Sequence, residues 1–423
     1  MTKLIARPGN ALSGVAAIPG DKSCSHRALI LAAMAEGETV ITNLNEADDV
    51  MRTLRAVEAF GATALKDGEQ WRVRGAQWRS PNAPIDCGNS GTTARLLIGA
   101  VAGMVGVCAT FVGDASLSAR PMRRVVAPLP QMGTTIEGGD TLPITVHGAR
   151  LGGIDFTNVP ASAQVKSAIL LASLSGSCPV RIVEPIPSRD HTEIMLGEFG
   201  CAIEDGIRLG AQRNLSACAV TIGTDPSAAA FALTAAAMIP GSSVTVRGML
   251  VNPLRTGLYE VLEEMGAVVE LANEQIVSGE IVADVTIAHG RLSGVTIPAE
   301  RIPAMIDEIP ALAMAAAMAE GETVIHGLAE LRVKESDRLG ATLAGLIACG
   351  VTALADGDSL RIFGRGSARG GSVLALGDHR IAMAFLTLGL AADGPVSVDD
   401  GAMIATSFPD FVDSMRALGA DIG

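Results

Sequence analysis

Aromatic residues are scarce, at 3% of the 423-residue chain, and only five of its 32 basic residues are lysines (Lys3, Lys22, Lys66, Lys166 and Lys334). Few rings and a net charge of −13 exclude a nucleic-acid surface built from basic stripes and stacking aromatics. No apolar run continues uninterrupted for the length a membrane span needs. The opening "MTKLIARPGNALSG" has no signal-like apolar core, so a cytoplasmic protein with no membrane partner is expected. Cysteine is thin and scattered. The seven residues Cys24, Cys87, Cys108, Cys178, Cys201, Cys218 and Cys349 are odd in number and form no C-x-x-C pair, so they read as small buried thiols in a reducing compartment. The six histidines show no HExxH or closely spaced ligand set, so no metal is expected. What is abundant is apolar: 48% hydrophobic against 18% charged residues suits a compact chain, and the length implies two or more domains.

An acidic chain that binds anions must gather its cations locally. The stretch "PGDKSCSHRALIL", residues 19–31, does so. Gly20 and Asp21 read as a turn and an N-cap, and Ala28 to Ala35 as an apolar helix. First-turn amides of such a helix point outward with partial positive charge. Lys22 and Arg27 add full charges, with Ser23 and Arg27 four apart on one face. The group suits a phosphate or carboxylate. The plainer alternative is a capped helix with solvated basic residues.

The segment "MAEGETVI" at 34–41 returns unchanged at 318–325, which prompts a search for a period. Six segments share one ending, a helical apolar pattern, then glycine, then a strand-like run. Their glycines are Gly61, Gly133, Gly200, Gly266, Gly350 and Gly419. Each unit reads as an Ala/Leu-rich helix, a short strand, a second helix, a glycine C-cap and another strand. In the first unit these fall near 24–35, 38–42, 48–60 and 62–66. The first helices ("AFALTAAAMI", "ALAMAAAMA") are apolar all round and belong in the middle of a domain. Strands alternating with helices give an α/β fold of six units, three per domain. The stretch "TIGTDPSAAAF" (221–231) reads as the boundary, and the lone opening strand near 3–18 could pair into either half.

Counting thirteen residues back from each terminal glycine gives the expected starts of the second helices: Asp48, Arg120, Pro187, Pro253, Asp337 and Thr406. Unusual charge gathers there, in "GDASLSARPMRR", "PSRDHTE" and "ELRVKESDRL". The first helices open on "DCGNSGTTARL", "ASAQVKSAIL", "MIDEIP" and "GDHRIAM". Recurrent Gly, Ser and Asn at helix starts can aim many amide dipoles at one anion site. Singly, each motif has a plain structural reading. "GNSGTT" is a glycine-rich turn and no nucleotide loop. "RVKESDRL" could be a solvated helix with Lys-Asp and Glu-Arg pairs three apart, and Asp307 a capping carboxylate. His26, His191 and His379 read as orienting or structural groups.

Together "PGDKSxSHR", "GNSGTTxR", "GDxSLSxRPM", "SAQVKSA", "RVKESDR" and "DHRIAM" resemble the 5-enolpyruvylshikimate-3-phosphate synthase family, in wording its bacterial class II branch. The resemblance runs from residue 19 to about 409. It implies a two-domain inside-out α/β barrel of six βαβαββ-type units. The domains would be 1–18 with 225–423 (units 4–6) and an inserted 19–224 (units 1–3), with the active site in the cleft between them. It also implies transfer of the enolpyruvyl group of phosphoenolpyruvate to the 5-hydroxyl of shikimate 3-phosphate, in the shikimate pathway. No cofactor or metal is implied, and the protein is expected to act as a monomer.

Carried over position by position, the resemblance assigns shikimate 3-phosphate to Lys22, Ser23, Arg27, Ser162, Ala163, Gln164, Arg189, Asp307 and Lys334, with Ser188 as an alternative to Arg189. It assigns phosphoenolpyruvate to Lys22, Gly91, Arg120, Gln164, Arg338 and Arg380. Asp307 matches the acceptor of the hydroxyl proton, and Glu335 and Lys22 the remaining acid-base groups. Addition of the hydroxyl to a protonated vinyl carbon, then loss of phosphate, needs such proton exchangers amid fixed positive charge.

Thr406 stands where another branch carries a lysine, so that contact is expected to be missing. The related transferase acting on UDP-N-acetylglucosamine is the nearest alternative. It would lack "DKSxSHR" and "RVKESDR" and would place a reactive cysteine where "DASLSARPM" stands. A non-catalytic anion-binding protein of the same fold is a third reading, opposed by Asp307 and Glu335, since anion binding gains nothing from carboxylates. The resemblance also brings an inhibitor, glyphosate, into the phosphoenolpyruvate site. Resistant class II relatives carry alanine where Gly91 stands, and Leu96 replaces a proline of the other branch. Sensitivity to glyphosate is therefore expected.

Overall fold

Six apolar helices organise the chain, and each starts from a polar cap. The computed structural model describes residues 2–159, 161–204, 206–210 and 213–423. The helices are Lys22–Met34, Gly91–Ala102, Ala163–Gly176, Pro226–Met238, Ile309–Met318 and His379–Ala391. Asp21, Ser90, Ser162, Asp225 and Asp378 cap five of them, each side chain accepting from a first-turn amide. Helices that are apolar on every face can be buried on every face: all thirteen residues of Pro226–Met238 are buried.

Sheets surround the helices, and five of them repeat one four-stranded plan. In the first, Ala219–Thr221 runs parallel to Glu38–Thr42, which pairs antiparallel with Gln70–Arg74, which in turn pairs antiparallel with Thr63–Asp67. Among the described residues the third unit carries two two-stranded pieces, Ile154–Thr157 with Val180–Val183 and Ile203–Glu204 with Arg208–Leu209. All six repeat glycines adopt positive φ, from +78° to +117°, as a helix ending in a left-handed residue requires. Gly61 isolates that requirement, since an added Cβ there meets nothing closer than 3.7 Å. Gly61→Ala is expected to cost about 1–2 kcal/mol from backbone strain alone. Urea unfolding checks this, and an unchanged midpoint would contradict it.

The chain forms two compact units: Met1–Pro19, Gly223–Gln275 and Ile281–Gly423 in one, Gly20–Ile222 and Ile276–Glu280 in the other. In the first, the helices Pro226–Met238, Ile309–Met318 and His379–Ala391 pack on one another. In the second, Gly91–Ala102 and Ala163–Gly176 meet backbone to backbone. A Cβ on Gly99 would lie 2.3 Å from the Ala168 carbonyl oxygen, so only glycine permits the contact. Among the described residues no helix is long and apolar enough to cross a membrane.

Two expectations need correction and a third is refined. The opening strand is two strands. Leu4–Arg7 joins the sixth unit's sheet and Ser13–Val15 runs parallel to Ser243–Leu250 of the fourth. The stretch 221–231 does hold the change of unit, between Ile222 and Gly223, while its last six residues already belong to the buried helix Pro226–Met238. The second helices start on schedule only at Asp48 and at the Asp337 cap. His191–Glu198, Gly257–Met265 and Phe411–Ala417 start later. In the second unit Pro121 and Pro128 break the segment into Ala115–Ala119, Arg123–Val126 and Leu129–Met132.

Candidate active site

In the inserted unit the start of Lys22–Met34 carries three of the expected residues. The Lys22 ammonium donates to Asp49 Oδ2 at 2.9 Å. Arg27 is almost wholly buried, and its guanidinium donates to Ser23 Oγ (2.7 Å), Ser23 O (2.9 Å), Thr192 Oγ1 (2.6 Å) and Ser167 Oγ (2.8 Å). These partners are neutral oxygens, so the charge is oriented by them and left for an anion to neutralise. Burial pulls the Arg27 pKa down, opposed by Cys24, Glu193 and Asp21.

Ser162 caps Ala163–Gly176, whose first residue Ala163 accepts from Ser167 Oγ through its carbonyl at 2.7 Å. The second residue of that helix, Gln164, bridges to the neighbouring helix. Its Oε1 accepts from Arg95 Nη1 at 2.7 Å, and its Nε2 donates to Thr92 Oγ1 at 3.0 Å. A Cβ on Gly91 would lie 2.9 Å from Arg95 Nη1 and 3.4 Å from Arg120 Nη1. Arg120 donates to Asn89 Oδ1. Gly91, Arg95, Arg120 and Gln164 therefore form one cationic patch. Arg189 is half-buried and close enough to Arg27 for their charges to repel. Ser188 donates to Glu184 Oε1 at 2.5 Å. Lys166 turns inward, its ammonium held by Glu184 (2.9 Å), Glu193 (2.7 Å) and the Ser188 carbonyl (3.0 Å).

The other unit builds its cluster around Arg338, the first residue of Arg338–Ala348. Its Nε and Nη2 grip both oxygens of Asp378 (2.8 and 3.3 Å), Nη1 donates to Asp307 Oδ1 (3.2 Å), and Nη2 pairs with Glu335. Burial opposes the charge, yet Asp378, Glu335 and Asp307 outweigh it and raise the Arg338 pKa. Asp307 Oδ1 also accepts from Lys334 Nζ at 3.3 Å, and its carbonyl from Arg380 Nη1 at 2.9 Å. Of the two pairs read in "RVKESDRL", Glu335–Arg338 forms, whereas Lys334 turns to Asp307 and Asp337 pairs with Arg332 at 3.2 Å. Thr406 Oγ1 lies 3.5 Å from His379 Nδ1.

Sequence reasoning missed Asp49, Thr192 and Ser167, which orient Lys22 and Arg27, and Arg95 beside Gly91. A second acidic residue after Asp48 at a helix start was the one signal for Asp49. Thr192 and Ser167 carried none, because ordinary hydroxyls become ligands only through the fold.

Among solved structures, the enolpyruvyl transferase NikO from Streptomyces tendae matches this fold with a TM-score of 0.81 at 22% identity, covering 100% of this chain and 98% of that one. The EPSP synthase from Acinetobacter baumannii matches with a TM-score of 0.87 at 37% identity over 100% of both chains. The architecture is thus that of the enolpyruvyl transferases. A family model described as EPSP synthase (3-phosphoshikimate 1-carboxyvinyltransferase) matches residues 6–415. A Caulobacter vibrioides (strain NA1000 / CB15N) protein named 3-phosphoshikimate 1-carboxyvinyltransferase is 49% identical over 436 residues, covering 99% of this chain and 98% of its own. One from Rhodopseudomonas palustris (strain HaA2) with the same name is 51% identical over 438 residues, with the same coverages. The chain belongs to the EPSP synthase family.

Proposed function

We propose that the two clusters divide a single reaction. The chain is a transferase of the shikimate pathway, moving the carboxyvinyl group of phosphoenolpyruvate to the 5-hydroxyl of shikimate 3-phosphate with release of phosphate. Lys22, Ser23, Arg27, Ser162, Ala163, Gln164, Arg189, Asp307 and Lys334 hold shikimate 3-phosphate. Lys22, Gly91, Arg120, Gln164, Arg338 and Arg380 hold phosphoenolpyruvate. Asp307 accepts the proton of the attacking hydroxyl. Glu335 and Lys22 give a proton to the vinyl carbon and take one back as phosphate leaves. Fixed cations stabilise the phosphate charge as it develops.

The observation that carries this division is at Asp307. Its carboxylate is held by Lys334 and Arg338 and its carbonyl by Arg380, so the proposed base stands among cations assigned to both substrates. Nuclear magnetic resonance on isotope-labelled phosphoenolpyruvate tests the reading. A vinyl ether on carbon 5 of shikimate 3-phosphate is expected, and a product with UDP-N-acetylglucosamine instead would overturn it.

Glyphosate occupies the phosphoenolpyruvate position, one chain suffices for activity, and the enzyme works in the cytoplasm. The cysteines, all free, suit a reducing compartment. A methyl group on Gly91 would crowd Arg95 and Arg120, which the smaller substrate tolerates better than the longer inhibitor. Gly91→Ala is expected to raise the glyphosate inhibition constant about 10-fold or more over any rise in KM for phosphoenolpyruvate, as overpacking of about 1–3 kcal/mol implies. Equal changes in the two constants would place Gly91 outside the site.

A further inference from the structure

Lys22 and His26 stand four residues apart on one face of Lys22–Met34, and Asp49 and Thr53 four apart on one face of Asp48–Phe60. The two faces meet in two rungs. Lys22 Nζ donates to Asp49 Oδ2 at 2.9 Å, and His26 Nδ1 lies 2.6 Å from Thr53 Oγ1. Thr93, the third residue of Gly91–Ala102, joins both rungs from a third helix. Its Oγ1 lies 2.7 Å from Thr53 Oγ1 and 3.3 Å from the Asp49 carbonyl oxygen. It also lies 2.7 Å from Oγ of Ser90, the cap of its own helix. His26, Thr53, Thr93 and Ser90 are all buried, where each hydrogen bond is strong and a lost one is costly.

The chemistry gives this line a direction. His26 Nε2 is buried without a hydrogen-bond partner. Stranding a bare lone pair costs less than stranding an N–H, so the ring proton sits on Nδ1. Burial holds the His26 pKa well below its ordinary value, helped by Lys22 and Arg27 and opposed by Asp21, so the ring is neutral. His26 Nδ1–H then donates to Thr53, Thr53 donates to Thr93, and Thr93 donates to Ser90 Oγ or to the Asp49 carbonyl.

We propose that Thr93 is a positioning residue for phosphoenolpyruvate: backed by Thr53 and His26, it fixes the helix start at Gly91 against the helix start at Lys22. The inference rests on the substrate assignments proposed above, in which Lys22 and Gly91 share phosphoenolpyruvate while Thr93 touches no substrate. A small displacement of one helix start against the other loosens the grip on the substrate they share.

Steady-state kinetics on the whole protein test the proposal. Thr93→Val removes the hydroxyl and keeps the backbone amide that donates to Ser90 Oγ at 3.2 Å, so the helix cap survives. KM for phosphoenolpyruvate is expected to rise about 3–10-fold, the scale of one misplaced hydrogen bond, with kcat and calorimetric binding of shikimate 3-phosphate within about two-fold of wild type. Thr93→Ser restores the hydroxyl and should recover the wild-type KM. Thr53→Val cuts the same line from a different helix, should raise KM alike, and carries the test should Thr93→Val fail to fold. The double valine variant should be no worse than either single one, because both cut one line. An unchanged KM in the valine variants, effects that add in the double variant, or no recovery in Thr93→Ser would overturn the proposal. A wild type that consumes no phosphoenolpyruvate with shikimate 3-phosphate would instead overturn the substrate assignments, and the proposal with them.

Discussion

Asp307→Asn is expected to lower turnover by about 10²–10⁴-fold, the range supplied by a positioned general base, with shikimate 3-phosphate still bound. The amide keeps the size of the carboxylate and an oxygen that can accept from Lys334 or Arg338, now at 3.3 and 3.2 Å. What it loses is the capacity to take a proton. Arg338 retains Asp378 and Glu335, so the fold survives the loss of one of three carboxylates. Steady-state turnover with calorimetric binding of shikimate 3-phosphate separates the two effects. Turnover within a few-fold of wild type would show that another group takes the hydroxyl proton.

Asp378→Asn should act on stability first. Asp378 is fully buried and does three things: it pairs with both sides of Arg338, accepts from Ser336 Oγ at 3.0 Å, and caps His379–Ala391 through the Arg380 amide at 2.9 Å. Asparagine preserves the cap acceptor and removes the charge. Stranding part of a buried guanidinium costs about 3–5 kcal/mol when its partner is lost entirely. Because Glu335 and Asp307 remain, the lower end, about 3 kcal/mol, is expected in urea unfolding. Loosened aim of Arg338 should raise KM for phosphoenolpyruvate as well. A variant within about 0.5 kcal/mol of wild type, the usual range for a surface change, would mean that Asp378 is dispensable to the cluster.

The six-unit repeat was legible because its signals are local. A glycine forced to positive φ and a helix apolar on all sides mark the same point in every unit. The return strands were not legible. Gln70–Arg74 ("QWRVR") alternates toward solvent with charged residues and reads as surface chain until it is paired with Glu38–Thr42. The late starts of the second helices follow from prolines whose effect on phase depends on how the loop folds. In the site, charged residues at helix starts were readable, since capping and dipole chemistry demand particular types there. Their orienting partners were not. Thr192 and Ser167 are ordinary until the tertiary fold turns them toward Arg27. Lys166 shows the converse: it sits in a recognisable motif, yet Glu184 and Glu193 consume its charge.

Phosphate release from phosphoenolpyruvate, followed with and without shikimate 3-phosphate, tests the central claim most directly. Release that requires shikimate 3-phosphate and proceeds in step with its consumption is the expected result. Release supported by UDP-N-acetylglucosamine in its place, or by neither acceptor, would contradict the account.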